Sequence, residues 1–234
     1  EELYLIKPDG EGLHQLTKAG KDIFQYEWSP SGKQMLVVEN NGGSFELMLL
    51  ETESGSRSAL RSEKGIHSNP NWAKDESFIT FEFEGPTLPP DVYRMELPSK
   101  KITQLTFSNP PALQRNKFIV PEVISYKSYD GLEIPAFLYR PEKSNGAAIL
   151  YPHGGPKDQY GFGWDELAQY YAAKGYTYLA PNYRGSTGYG QEFERANYND
   201  WGVGDTQDCL HGAKYLRTFK DIKPDRIAIT GGSY

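Results

Sequence analysis

Apolar residues in the first half of the chain gather in short runs separated by turn residues, and the runs return at a fixed interval. The strand-like stretch Leu3–Ile6 has counterparts at Leu47–Leu50 and Val92–Met95. Trp28, in Trp28-Ser29-Pro30-Ser31-Gly32-Lys33, recurs as Trp72, and Leu16-Thr17 recurs at Leu60 and again at Leu105-Thr106, with steps of 44 and 45 residues. Three landmarks in one phase mark a true repeat. Each repeat holds about four β runs broken by turn chemistry at Pro8-Asp9-Gly10, Ser29-Pro30-Ser31-Gly32 and Asn41-Gly42-Gly43. A four-stranded unit of this length is a propeller blade. A flat antiparallel sandwich would not keep the tryptophan, the Leu-Thr pair and the strand in step. The strand count predicts half a blade and then two full ones, ending near Phe107. Propellers close with about four to eight blades, so residues 1–112 read as the last blades only of a larger β-propeller. In the Trp-Ser-Pro-Ser-Gly-Lys turn the aromatic is expected to pack between blades, with Pro30 and Gly32 setting a tight turn.

From residue 113 to 234 the pattern changes. Val123–Tyr129 and Leu132–Tyr139 flank Asp130-Gly131, a hairpin-turn signal. Ala147–Tyr151 and Tyr176–Ala180 read as strands, with a helix over 164–174 closed by Gly175. A second helix is predicted from about Asp205 to Phe219, with Cys209, Leu210, Ala213 and Leu216 on one face. The strand Ile227-Ala228-Ile229 follows Pro224. Strands alternating with helices imply a mainly parallel, doubly wound sheet.

Composition narrows the function. The 234 residues are 38% hydrophobic, 24% charged and 14% aromatic, with 17 tyrosines and a net charge of −6. That balance fits a globular chain and argues against nucleic acid, where a basic face supplies most of the affinity. No apolar run approaches the roughly 20 residues of a membrane span, and no signal-peptide pattern opens the chain, so no membrane partner is expected. Cys209 is the only cysteine, which mildly favours a reducing, cytoplasmic setting. Four scattered histidines and one cysteine have no metal-ligand spacing. No metal and no cofactor are expected.

The candidate chemistry lies at the end of the sequence. Gly231-Gly232-Ser233-Tyr234 follows the strand-like Arg226–Thr230 and fills four positions of G-x-S-x-G, the elbow that exposes a nucleophilic serine above a sheet. The motif alone is weak: Gly42-Gly43-Ser44-Phe45 repeats it between two β runs, where it reads as a hairpin turn. Ser233 instead follows a buried-type strand in an α/β pattern. Upstream, His153-Gly154-Gly155-Pro156 comes directly after the strand Ala148–Tyr151. Acyl transfer builds negative charge on a carbonyl oxygen, and waiting N–H donors stabilise it. The N–H of Gly155 or Gly154 and that of Tyr234 are the candidate oxyanion-hole donors. Asn182-Tyr183-Arg184-Gly185-Ser186-Thr187-Gly188 lacks the lysine of a phosphate-binding loop, and Arg184 is expected to brace this loop.

His-Gly-Gly-Pro, Asn-Tyr-Arg-Gly-Ser-Thr-Gly-Tyr-Gly, Trp201-Gly-Val-Gly-Asp205 and Gly-Gly-Ser-Tyr occur in one order that resembles the prolyl oligopeptidase family of serine peptidases, on its acylaminoacyl-peptidase and dipeptidyl-peptidase-like branch. The resemblance implies a propeller followed by the N-terminal part of an α/β-hydrolase domain, and hydrolysis of short peptides through an acyl-enzyme. The triad of this fold runs Ser, Asp or Glu, then His. His14, His67, His153 and His211 all precede Ser233, so none takes the base's place, and this stretch by itself is expected to be inactive. An esterase or lipase sharing the elbow, and a propeller-bearing binding protein with a dead hydrolase-like domain, remain as alternatives. Cleavage preference and homo-oligomerisation stay open.

Overall fold

Turn residues at short intervals make antiparallel hairpins of the first half of the chain. In a computed structural model that describes residues 2–18, 20–113 and 117–234, the chain divides into two units. The first comprises residues 1–113 together with Phe162–Trp164. It opens with the two-residue strands β1 (Tyr4–Leu5) and β2 (His14–Gln15), paired antiparallel. Two four-stranded meanders follow. One is β3 (Ile23–Trp28), β4 (Gln34–Asn41), β5 (Ser44–Glu51) and β6 (Arg57–Arg61). The other is β7 (Ile66–Trp72), β8 (Phe78–Gly85), β9 (Leu88–Glu96) and β10 (Ile102–Gln104). Within each, neighbours in sequence pair antiparallel, and one parallel bridge, Phe45 to Ile66, joins the meanders.

Alternation builds the core of this unit. In β8, Ile79, Phe81, Phe83 and Gly85 are buried while the residues between them are half-buried, because successive side chains of a strand point to opposite faces. Leu36, Leu47, Ile79, Phe81, Phe83 and Met95 are all at most 1% exposed, and burying each contributes roughly 1.5–3 kcal/mol. The repeat is also written in hydrogen bonds. Asn69 N–H donates to Gln25 Oε1 (2.7 Å), Trp72 Nε1–H to the Glu27 carbonyl (3.3 Å) and Ser31 N–H to Glu76 Oε1 (2.5 Å), each spanning 44 or 45 residues. Equivalent positions of successive repeats therefore touch. Trp72 packs on the core as expected of a blade aromatic, but Trp28 is 42% exposed. Only the short β1 and β2 precede it among the described residues.

The second unit comprises residues 114–161 and 165–234. Its sheet has the order β11-β12-β14-β13-β15, from β11 (Glu122–Lys127), β12 (Glu133–Tyr139), β13 (Ala148–Leu150), β14 (Thr177–Pro181) and β15 (Ile227–Ile229). The strands β14, β13 and β15 are mutually parallel, whereas β11 pairs antiparallel with β12 and β12 with β14. Half the pairings are parallel, where a mainly parallel sheet was expected. The Asp130-Gly131 hairpin folds β12 back on β11, and β12 then joins β14 antiparallel. Helix α1 (Glu166–Ala173) links β13 to β14. Helices α2 (Gln191–Arg195) and α3 (Gly204–Leu216) link β14 to β15. Asp165 caps α1 by accepting from Ala168 N–H (2.8 Å), and Gly175, at φ +87°, follows its end.

The two long helices cover opposite faces, because alternate strand residues face each of them. Leu216 of α3 packs with Ala148, Leu150 and Leu179. Tyr171 of α1 lies on the ring of Tyr178, with centroids 6.1 Å apart. The buried face of α3 differs from the expected one. Asp205, Asp208, Gly212 and Leu216 are buried, Cys209 is half-buried and Leu210 is 50% exposed. A carboxylate at the centre of that face is tolerated because an arginine meets it. The strand β15 also differs from the buried-type strand expected. Among the described residues it pairs with β13 alone, and Ile229 is 64% exposed. Among the described residues no helix is long and apolar enough to cross a membrane.

Candidate active site

The site is built on the carboxyl ends of two adjacent parallel strands, β13 and β15. Thr230 N–H donates to the Leu150 carbonyl (3.1 Å), extending their pairing one residue beyond β15. The chain then turns through Gly231 and Gly232 to Ser233, whose φ is +68°. A side chain rarely adopts this left-handed conformation, and its cost is of order 1–3 kcal/mol. The serine therefore stands in a strained conformation just past the end of a parallel strand.

Across from it lies the loop that leaves β13. A Cβ added to Gly154 would stand 3.1 Å from Ser233 Cβ and 3.6 Å from Ser233 Oγ, so the loop backbone packs closely on the serine. Gly155 has φ +120°, and a Cβ there would meet Lys157 N at 2.7 Å. The structure thus brings Ser233 and Gly154 together, with Gly155 next in the loop. Tyr234 follows the serine, and its hydroxyl donates to Asp205 Oδ2 (2.5 Å). Its ring lies 6.4 Å from that of Tyr183 and 6.2 Å from that of Trp201. Beside it opens an apolar cavity of about 430 Å³, lined by Pro152, Tyr183, Trp201, Cys209, Ile229 and Tyr234 among others.

The segment after β14 braces this loop. The Asn182 side chain accepts from Tyr160 N–H (2.6 Å) and donates to the Tyr160 carbonyl (3.1 Å). Tyr183 is 2% exposed, and its ring stacks on His153 with centroids 4.5 Å apart. Its hydroxyl donates to the His153 carbonyl (2.7 Å) and lies 3.3 Å from the Gly154 carbonyl. Burial pushes that hydroxyl well above the usual tyrosine range, so it stays a donor. His153 Nδ1–H donates to the Gly154 carbonyl (2.6 Å), and Nε2 lies 2.9 Å from Ser186 Oγ. Burial holds His153 below the usual histidine value, which keeps it neutral.

Arg184 braces, as expected. Its guanidinium donates to both oxygens of Asp208 (2.9 Å each) and to Asp130 (3.0 and 3.2 Å), while its backbone N–H also reaches Asp208 Oδ2 (2.9 Å). Hydrogen bonding to Asp208 drives the Arg184 pKa upward, and hydrogen bonding from Arg184 holds Asp130 below the usual carboxylate range. Sequence reasoning missed Asp208 and the Tyr183 hydroxyl. The signal for Asp208 was an aspartate at helical spacing from Asp205, Gly212 and Leu216.

Each of the four histidines has another engagement. His14 contacts Gly12, His67 is buried in the first unit, His153 holds its own loop, and His211 Nδ1 bonds to the Gln207 carbonyl (2.9 Å). Burial pushes the Cys209 thiol up to about 12, so it is no thiolate nucleophile. Among the described residues no group of three His, Cys, Asp or Glu side chains is placed to hold a metal.

A mixed sheet flanked by helices, with a left-handed serine at a strand end and a glycine loop packed on it, defines an α/β fold of the hydrolase kind. Residues 146–234 match the prolyl oligopeptidase family. The peptidase YuxL of Bacillus subtilis (strain 168) is 31% identical over 212 residues, covering 88% of this chain and 32% of the relative. Among solved structures, a Pyrococcus horikoshii acylaminoacyl peptidase aligns over 90% of this chain and 33% of its own, at 27% identity and a TM-score of 0.75. A puromycin-hydrolyzing peptidase of Mycobacterium tuberculosis aligns over 99% of this chain and 37% of its own, at 21% identity and a TM-score of 0.84. The chain spans about a third of the length of these relatives.

Proposed function

We propose that the whole protein is a serine peptidase that hydrolyses short peptides through an acyl-enzyme formed on Ser233. The observation that carries this reading is the left-handed Ser233 at the end of a parallel strand with Gly154 packed against it. Ser233 Oγ attacks the scissile carbonyl as a base takes its proton. The amine leaves with a proton, and water then cleaves the ester to restore the hydroxyl. The N–H groups of Gly154 or Gly155 and of Tyr234 stabilise the oxyanion. In the α/β-hydrolase arrangement one donor comes from a loop of this kind and the other from the residue after the serine, which supports the choice of these residues. The base and acid are assigned to no residue of this chain.

In the same reading, residues 113–234 are the N-terminal part of an α/β-hydrolase domain and residues 1–112 the last blades of a β-propeller that admits only short peptides. The four-stranded meanders and the hydrogen bonds at the repeat interval support the blades. Peptidase names among the relatives support the substrate class.

Ser233→Ala in the full-length protein tests the assignment. Turnover of peptide anilides is expected to fall at least about 10³-fold, with labelling by a fluorophosphonate abolished. Retained peptidase activity in that variant would overturn it, and turnover of simple esters alone by the wild type would replace the peptidase with an esterase.

A further inference from the structure

Among the residues that the proposed chemistry leaves unused, Tyr183 reaches two backbone carbonyls of the reacting loop from outside it. Its hydroxyl holds the His153 carbonyl at 2.7 Å and lies 3.3 Å from the Gly154 carbonyl, which also accepts from His153 Nδ1 at 2.6 Å. A trans peptide is planar, so the N–H and C=O of one peptide group point in opposite directions. A donor on the His153 carbonyl therefore fixes the direction of Gly154 N–H. Donors on the Gly154 carbonyl likewise fix Gly155 N–H. Glycine backbone is the most freely rotating in the chain, and two glycines in succession cannot hold a direction without such anchors.

The anchor is itself fixed. The Tyr183 ring is stacked on His153, and the next residue is tied to α3 by Arg184 N–H and the Arg184 guanidinium on Asp208, which is fully buried. A tilt of the two peptide planes would have to break the Tyr183 bond, the His153 bond, or both.

We infer that Tyr183 is a positioning residue of the site: its hydroxyl sets the peptide planes at residues 153–155 so that their N–H groups face the developing oxyanion. The inference rests on the proposed serine chemistry. It assigns Tyr183 no contact with substrate, only the aim of the donors that make it. Preorganised donors act on the transition state, so loss of their aim lowers kcat and leaves KM.

The test compares Tyr183→Phe with wild type in the full-length protein. Phenylalanine keeps the stacked ring and removes only the hydroxyl. The expected result is a fall in kcat of about 10- to 100-fold with KM within about twofold. Affinity for a peptide aldehyde, which forms a tetrahedral adduct, should fall in parallel. 4-Fluorophenylalanine at position 183 keeps the size and stacking of the ring without a donor, should give the same kcat-selective loss, and decides the matter if Tyr183→Phe does not fold. An unchanged kcat in a folded variant, or a loss that only follows the folded fraction, overturns the inference. Should Ser233→Ala retain turnover, the serine reading itself fails. Silencing by Ser233→Ala together with an undisturbed Tyr183→Phe refutes the positioning role alone.

Discussion

Two turns in this molecule share the sequence Gly-Gly-Ser and do opposite things with the serine. In the first unit, Gly42 and Gly43 take the left-handed conformations (φ +63° and +87°) and Ser44 begins β5, paired with Asn41 across the hairpin. Its hydroxyl is spent: it donates to the Gly65 carbonyl (3.1 Å) and accepts from Gly65 N–H (3.2 Å), and the residue is 6% exposed. In the second unit the serine itself carries the positive φ, +68° at Ser233, and follows a parallel strand. Glycines that absorb the turn leave a serine free to enter a strand. A serine forced to absorb the turn is lifted out of the sheet. The shared Gly-Gly-Ser does not separate the two; the strand before each does.

The sharpest way to break this comparison is to delete both hydroxyls in turn. Ser233→Ala should abolish turnover, by about 10³-fold or more, while Ser44→Ala should leave kcat and KM unchanged. Equal effects from the two would mean that elbow geometry at Ser233 has no chemical consequence.

Next in size is the brace behind the second turn. Asp208 is fully buried and carries the charge of Arg184, which is 5% exposed. Removing one partner of a buried pair costs about 3–5 kcal/mol, and Asp130, which still pairs with Arg184, should keep the loss toward the lower end. Asp208→Ala should therefore lower the urea midpoint strongly. An apolar replacement of both residues, Arg184→Met with Asp208→Leu, should recover part of that loss. A single variant as stable as wild type would show that the ion pair does not hold the Tyr183 segment.

How far the sequence revealed this depends on range. The repeat was legible because turn residues and strand phase are local, and Ser233 could be told from Ser44 because one follows an α/β pattern and the other sits between two β runs. Arg184 could be read as a brace from its loop. What it braces could not, since Asp208 lies 24 residues away and Asp130 54. Periodicity put Leu210 and Ala213 on the packed face of α3, because a pattern of apolar residues cannot foresee an aspartate buried by a distant arginine. The antiparallel joining of β12 to β14 is a matter of strand order, which crossover connections set and no single segment encodes.

A third contrast lies between two buried histidines. His153 serves the second unit's loop through both ring nitrogens. His67, in the first unit, uses Nδ1 on the Phe45 carbonyl (2.6 Å), its Nε2 is buried without a hydrogen-bond partner among the described residues, and Phe81 and Phe83 pack on its ring. Burial lowers His67 from 6.5 to about 4. The unfolded chain takes up this proton near pH 6.5 and the folded one only near pH 4. Stability is thus full above pH 6.5 and is lost as the pH falls through that window, by about 3 kcal/mol at most. Denaturant midpoints between pH 7 and pH 4 should show the slope in wild type and a flatter one in His67→Leu. Parallel curves would remove His67 as the cause.

The smallest expected effect returns to Ser44, now read in stability rather than in rate. Alanine there deletes one donor and one acceptor and leaves Gly65 N–H without its recorded partner in a buried corner, while the Phe45 N–H bond to the Gly65 carbonyl (2.9 Å) remains. An unpaired buried amide costs about 1–3 kcal/mol, and the surviving bond keeps the cost toward the low end. Ser44→Ala should therefore lower the denaturant midpoint modestly without a change of m-value, since the strands stay paired. Ser44→Gly adds backbone freedom at the head of β5 and should cost more than alanine. If alanine were neutral and glycine were not, the first turn would be held by backbone alone. The hydroxyl of Ser44 would then be idle, and the contrast with Ser233 would rest on backbone conformation only.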